Sequence, residues 1–369
     1  MKKCFVALAC VLLAVLLASC GSELPSASSS EETQDVQSAE NPSVSPEGPS
    51  VSPEDSSVGE ESLPSGTDPG VSTDPAEDPA QRFTFSPYII SDVTREELGE
   101  ADYALYCKLV DAYLAHEERI AGFSDEAQFF RLWGVFLAEC YPSQKIAANY
   151  GTHEEPYVYT DGTVELRYQH DRDECDRLVG EFEEKINSIL SVIDEGDDEV
   201  RITEKLYRYV SDTVVYDFIE GSMYEVIMQD RGICGDYAAY LILLLRCAGV
   251  ESIFCSDDLD SDIDHAWTIA KLNGEYYHFD PTWQANEPGG WTYFAMSDDA
   301  RLRTFSSGWF ADLSAGIDPY TDPNLEIPDV SFIGTLHPFE NVHLDVPACT
   351  SHIYDEKRFG AVGAPSDWN

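Results

Sequence analysis

Positive charge is what this chain has least of. Lys and Arg number 22 against 69 Asp and Glu, a formal net charge of −47 over 369 residues. A nucleic-acid binder neutralises phosphates with Lys and Arg, so that class of partner is excluded. Adsorption to an anionic membrane surface needs the same residues and is opposed. From Gly21 to Ala80 no Lys or Arg occurs at all. No Cys-x-x-Cys pair exists, which argues against a zinc cluster. Past Ala18 no apolar run is long enough to span a bilayer. The bland reading of so much acid is a soluble, well-solvated extracellular surface.

What is present begins with a leader. Lys2 and Lys3 precede an apolar run from Phe5 to Ala18, the pattern of a secretory signal over residues 1–19. It ends Leu17-Ala18-Ser19-Cys20-Gly21, which resembles a bacterial lipobox. The resemblance implies cleavage before Cys20 and a lipid on its sulfur. The next stretch, residues 20–81, is rich in Ser, Pro, Glu and Asp. Pro42-Ser43-Val44-Ser45-Pro46-Glu47 recurs as Pro49-Ser50-Val51-Ser52-Pro53-Glu54. Such a segment has too little apolar surface to offset its ordering entropy; Pro and like charge keep it extended as a tether. Of the ten cysteines, Cys4 and Cys10 leave with the signal. Cys107, Cys140, Cys175, Cys247, Cys255 and Cys349 are expected either as disulfides, which export permits, or as buried thiols.

The folded part starts near Arg82. Thr94-Arg95-Glu96-Glu97 reads as a capping box opening a helix through Leu98, Leu105 and Leu109. Ser124 is placed to cap a second helix, which stops before Pro142. Tyr157-Val158-Tyr159 and Val164-Glu165-Leu166 flank Asp161-Gly162, a hairpin signal. Helical spacing of Leu178, Phe182, Ile186 and Leu190 predicts a third helix over about 174–193. A fourth, over about 204–213, leads into Val214-Val215-Tyr216-Asp217. His116, His153 and His170 have no partners at ligand spacing and read as surface or satisfied core residues.

The informative segment is Gly232-Ile233-Cys234-Gly235-Asp236. The residues that follow, from Ala238 to Ala248, are apolar nearly all round and stop at Gly249, so they predict a buried helix. Cys234 then sits at its start, where amides and dipole stabilise a thiolate and a developing oxyanion. Downstream, His265–Lys271 and Glu275–Asp280 flank Asn273-Gly274, the preferred two-residue hairpin turn. If Leu272 pairs with Glu275, Asp280 stands opposite Trp267. His265, two residues from Trp267, shares that face and is a diagonal neighbour of Asp280. A slip of one residue would separate them. Thiol, imidazole and carboxylate together are the parts of an activated sulfur nucleophile. His278 lies on the same face and is a rival base.

These motifs resemble the transglutaminase-like superfamily of papain-like fold. The pattern is Gly-x-Cys-x-x-x-Ala, then Asp264-His265-Ala266-Trp267, then Asn273-Gly274 leading to Asp280-Pro281-Thr282-Trp283. The resemblance covers about 204–299. It implies Cys234 as nucleophile, His265 as base and Asp280 as orienting carboxylate. Tyr216, matching a frequent family Tyr, would line the site with Gly235, Trp267 and Trp283. The context of His278 does not match the family's histidine, and no motif matches its oxyanion-hole side chain.

The expected fold is α+β: a buried Cys-bearing helix on an antiparallel sheet, with a helical region before it. The expected partition is 82–195 mostly helical, 196–303 the catalytic core and 304–369 an irregular extension. The expected activity is acyl transfer or hydrolysis on protein or peptide amides, needing no cofactor or metal. The rival is an inactive extracellular binding module that keeps the fold. Asp257, Asp258, Asp260, Asp262 and Asp264 read as a solvated acidic loop favouring a protonated His265; weak Ca²⁺ binding at Asp258, Asp260 and Asp262 is the alternative, but the spacing is not that of an EF-hand. The protein is expected to be an exported monomer, anchored through Cys20 with its domain on the extracytoplasmic side.

Overall fold

The computed structural model describes residues 83–148, 155–257, 265–306, 308–315, 322–335, 337, 339–340, 342–355, 357 and 365–368. The first helix, α1 (Asp92–Leu114), kinks at Gly99, whose φ of 62° and ψ of 178° are not helical. Its cap is Ser91 rather than Thr94: Ser91 Oγ accepts from the Thr94 amide at 3.1 Å. The Thr94 hydroxyl instead donates to Glu139 at 2.6 Å. The same carboxylate takes the Ser91 amide at 2.7 Å. A tertiary contact therefore displaces the local capping box. Strand β1 (Arg119–Ala121) follows, then α2 (Glu126–Glu139), capped by Asp125 and not Ser124. Gln128 sets that offset: its amide donates to Asp125 at 2.9 Å, and its side-chain oxygen accepts from the Ser124 amide at 2.7 Å.

A short α3 (Ser143–Ile146) precedes the predicted hairpin of β2 (Tyr157–Val158) and β3 (Thr163–Glu165). β1 joins the hairpin, giving an antiparallel sheet in the order β1-β3-β2. These elements enclose one apolar core around Tyr113, Phe129, Trp133 and Phe136. His116 stacks on Tyr168 and its Nε2 donates to the His170 carbonyl at 3.3 Å; His153 lies outside the described residues.

The second core is built on the thiol-bearing helix. α4 (Arg172–Leu190) and α5 (Glu199–Thr213) lead to β4 (Val215–Tyr216), α6 (Met223–Gln229) and β5 (Arg231–Gly232). β4 and β5 pair in parallel, and the chain passes from β5 into α7 (Cys234–Cys247). β6 (Ser252–Asp257), β7 (Ala266–Leu272) and β8 (Glu275–Phe279) then form antiparallel neighbours. The turn between β7 and β8 has Asn273 at φ 52° and Gly274 at φ 87°, both positive as a type I′ turn requires. Leu272 pairs with Glu275, as expected. α8 (Pro281–Gln284) and α9 (Asp298–Thr304) follow, with α10 (Trp309–Ser314) and β9 (Phe332–Gly334) beyond.

β9 corrects the reading of an irregular extension. It pairs with β6, Cys255 opposite Gly334, and completes a four-stranded sheet in the order β8-β7-β6-β9. Three residues in a Pro- and Asp-rich stretch carry too little pattern to mark a strand. β7 is buried on both faces because alternate residues enter different clusters. Ala270 and Leu272 pack with α7, while Trp267 and Ile269 pack with Cys255 and Cys349. All seven cysteines among the described residues are free thiols, so no disulfide is present there. No helix among the described residues is long and apolar enough to cross a membrane.

Leu244 is fully buried on α7. Leu244→Ala should cost about 2–5 kcal/mol of stability through lost burial and the cavity it leaves. Urea denaturation measures this; a loss below about 1 kcal/mol would contradict the packing.

Candidate active site

α7 begins where an isoleucine stands at the cap. Ile233 has no side-chain acceptor, so the cap is made from inside the helix: Asp236 Oδ2 accepts from the Ile233 amide at 2.8 Å. This return is tight. A Cβ on Gly232 would meet Asp236 Cβ at 2.5 Å, which is why only glycine fits there. The Asp236 and Tyr237 amides both donate to the Ile233 carbonyl. Cys234 is the first helical residue and is buried, 2% exposed. Gly235 follows it, also buried.

His265 sits one residue before β7, and Asp280 one residue after β8. The hairpin register brings them together: His265 Nε2 lies 2.7 Å from Asp280 Oδ2. Nδ1 is left for Cys234, whose thiol hydrogen-bonds the ring. The imidazole stacks on Trp283, centroids 4.7 Å apart and planes 14° apart. Its backbone is clamped as well. The His265 amide donates to Asp257 Oδ1 at 2.7 Å, and the Asp257 amide donates to the His265 carbonyl at 3.2 Å. Asp257 is therefore a buried structural acid, not part of a solvated loop; Asp258, Asp260 and Asp262 lie outside the described residues.

Asp280 is fully buried. Its Oδ1 accepts from the Trp283 amide at 3.0 Å, which caps α8. Its Oδ2 also ion-pairs with Arg301 Nη2 at 3.1 Å. Burial alone would push the Asp280 pKa up, but the charges of His265 and Arg301 hold it below the ordinary carboxylate range. Burial alone would pull His265 down; the Asp280 charge and hydrogen bond, and then Cys234, raise it to about 9. A pKa of about 9 leaves the ring an imidazolium at neutral pH.

The other expected lining residues divide. Tyr216 is on β4 opposite Gly232, 56% exposed, with its ring 6.3 Å from that of Tyr237. Trp283 is the stacking partner of His265. Trp267 is fully buried and supports the site from beneath rather than lining an open surface. Arg301 and Asp257 carried no local signal: neither stands in a motif with Cys234 or Asp280, and only the fold brings them to the site.

His278 is not the base. The Trp267 indole N–H donates to its Nδ1 at 2.9 Å. An indole nitrogen only donates, so the His278 proton is on Nε2 and is donated to Asp298 Oδ1 at 2.9 Å. Burial pulls the His278 pKa down. The same tautomer sets how a nearby cluster of donor atoms is bonded. His278, Asp298 and Cys349 offer donor atoms within 4.8 Å of one another. A metal needs the Nε2 lone pair, and that nitrogen carries the proton. Asp298 Oδ2 is taken by the Cys349 amide at 3.0 Å, and burial pushes the Cys349 thiol up. The residues form a hydrogen-bonded brace.

A thiol at a helix start, an imidazole and a carboxylate at one end of an antiparallel sheet make a papain-like arrangement. Residues 190–281 match the family model of the Transglutaminase-like superfamily, a span that contains Cys234, His265 and Asp280. Two solved structures are similar over part of the chain. One, from Cytophaga hutchinsonii, is described as a "Putative Cysteine Protease": 15% identical, covering 35% of this chain and 61% of its own, TM-score 0.23. The other, from Parabacteroides distasonis, is described as a "putative protease": 10% identical, covering 36% of this chain and 30% of its own, TM-score 0.23. The chain thus spans 61% and 30% of their lengths. No curated protein matches the chain.

The geometry predicts that iodoacetamide labels Cys234 readily at neutral pH, below the ordinary thiol range of about 8.5. His265→Ala should abolish that reactivity and return an ordinary thiol profile. Labelling with no His265 dependence, read by mass spectrometry, would contradict the pairing.

Proposed function

We propose that this protein is an exported, lipid-anchored cysteine enzyme that performs acyl transfer or hydrolysis on protein or peptide amides. The observation that carries the reading is the buried His265 ring, held at 2.7 Å by Asp280 on one side and hydrogen-bonded to Cys234 on the other. In the reaction, the Cys234 sulfur attacks the amide carbonyl carbon and forms the C–S bond. Amides at the start of α7 stabilise the oxyanion. The C–N bond then breaks as His265 gives its proton to the departing amine. Water or a second amine adds to the thioester and passes a proton to His265. The C–S bond breaks, and the thiolate returns. Asp280 orients the ring and stabilises the imidazolium throughout. The residues suffice without a metal or cofactor.

Peptide-like substrates fit the surroundings. Val215, Tyr216 and Phe218, on and just after β4, are 51%, 56% and 66% exposed, and β4 pairs with the strand that leads into Cys234. This apolar strip offers an extended chain a surface beside the thiol. In the full protein, residues 1–19 would be the signal and Cys20 the lipid anchor. Residues 20–81 would be the tether that holds a monomeric domain on the extracytoplasmic side. Residues 82–195, 196–303 and 304–369 would be its helical, catalytic and C-terminal parts.

Incubation with a peptide library, with and without an amine donor, tests the reading by mass spectrometry. Hydrolysed amides, or amine-linked products when the donor is present, are expected. His265→Ala should lower turnover at neutral pH by about 10²–10⁴-fold. Products that persist in Cys234→Ala, or a wild-type protein that makes none, would overturn the proposed reaction.

A further inference from the structure

Asp280 does not face His265 alone. Arg301, on α9, is fully buried. Its Nη2 lies 3.1 Å from Asp280 Oδ2, the same oxygen that bonds His265 Nε2. The guanidinium carbon is 4.0 Å from the ring centre of Trp267 and 4.5 Å from those of Trp283 and Phe305. Trp267 and Trp283 also flank the His265 ring. One aromatic wall thus carries two cations onto one carboxylate oxygen.

Arg301 is poorly satisfied otherwise. Nη1 donates to Thr304 Oγ1 at 3.1 Å, but Nε and Nη2 have no hydrogen-bond partner among the described residues. The 3.1 Å approach to Asp280 is a charge contact without hydrogen-bond geometry. A buried guanidinium is costly unless an anion compensates it. Asp280 is the only carboxylate paired with it among the described residues. A residue placed merely to fill space would not need that charge.

We propose that Arg301 is a positioning residue for the Cys234–His265–Asp280 chemistry: it fixes the Asp280 carboxylate and shares its Oδ2, so that the imidazolium is held yet can still give up its proton. This rests on the triad reading above. The other titratable groups around the cluster do not supply the charge. Tyr207 on α5 and Cys255 on β6 are pushed up by burial and stay neutral, as does Tyr293. His278 on β8 is pulled down by burial and stays neutral. Asp298 is bonded to His278 and to the Cys349 amide. Asp257 on β6 binds the His265 amide rather than its ring.

The test is the pH profile of Cys234 alkylation by iodoacetamide in the full chain. Arg301→Met removes a cation that favours thiolate and carboxylate and opposes imidazolium. Both limbs of the profile should move to higher pH by about one unit. Arg301→Lys keeps the charge but loses the planar stacking, and should keep the limbs within a few tenths of a unit of wild type. A folded Arg301→Met protein whose profile superimposes on wild type overturns the proposal. If Met does not fold, Arg301→Gln takes its place. If neither folds, Lys decides: limbs that move with the charge retained overturn it, and limbs that stay support it. Wild-type labelling that ignores His265 would fail the triad itself, whereas a His265-dependent profile indifferent to Arg301 fails only this proposal.

Discussion

A buried carboxylate must be matched by positive charge or hydrogen bonds, and Asp280 is matched from several directions at once. His265 reaches it from the start of β7, Arg301 from α9, and the Trp283 amide from α8. The Tyr207 hydroxyl, from α5, donates to the Asp280 carbonyl at 3.1 Å. Breaking a buried ion pair by removing one partner costs about 3–5 kcal/mol, so these elements are held to one another by the same group that orients the imidazole. Site and fold are not separable here. The sheet, the helix after it and the aromatic wall of Trp267 and Trp283 all converge on one side chain.

The sheet face carries a second histidine–carboxylate pair, and the contrast is instructive. His278 and His265 both bond a carboxylate through Nε2. They differ in what meets Nδ1. For His278 it is the Trp267 indole N–H, which can only donate and which locks the ring as a neutral brace. For His265 it is the Cys234 thiol, which can give up its proton. One indole in place of one thiol separates a histidine locked as a neutral brace from one that faces a group able to exchange a proton with it.

Much of this was legible in the residues because it obeys short-range rules. Asn273-Gly274 dictates the turn, the turn dictates the register, and the register sets His265 diagonal to Asp280. The apolar run after Cys234 dictates a buried helix that starts at the thiol. Long-range contacts were not legible. Glu139 moves the cap of α1 from Thr94 to Ser91 because a carboxylate distant in sequence takes the Thr94 hydroxyl. Asp257 looked like the first of a solvated acidic run, yet it clamps the His265 backbone. Arg301 reaches Asp280 only because α9 folds back beneath the hairpin. β9 is too short to show a period, and its partner β6 lies far upstream.

The central claim is that His265 is an imidazolium at neutral pH, held between Asp280 and Cys234. Nitrogen-15 NMR of the labelled histidine ring tests this most directly, with His265→Ala used to assign the signal. Both ring nitrogens should be protonated at neutral pH, and the ring should titrate near pH 9. A His265 ring that is neutral at neutral pH, or that titrates near the free-imidazole value of about 6.5, would contradict the account.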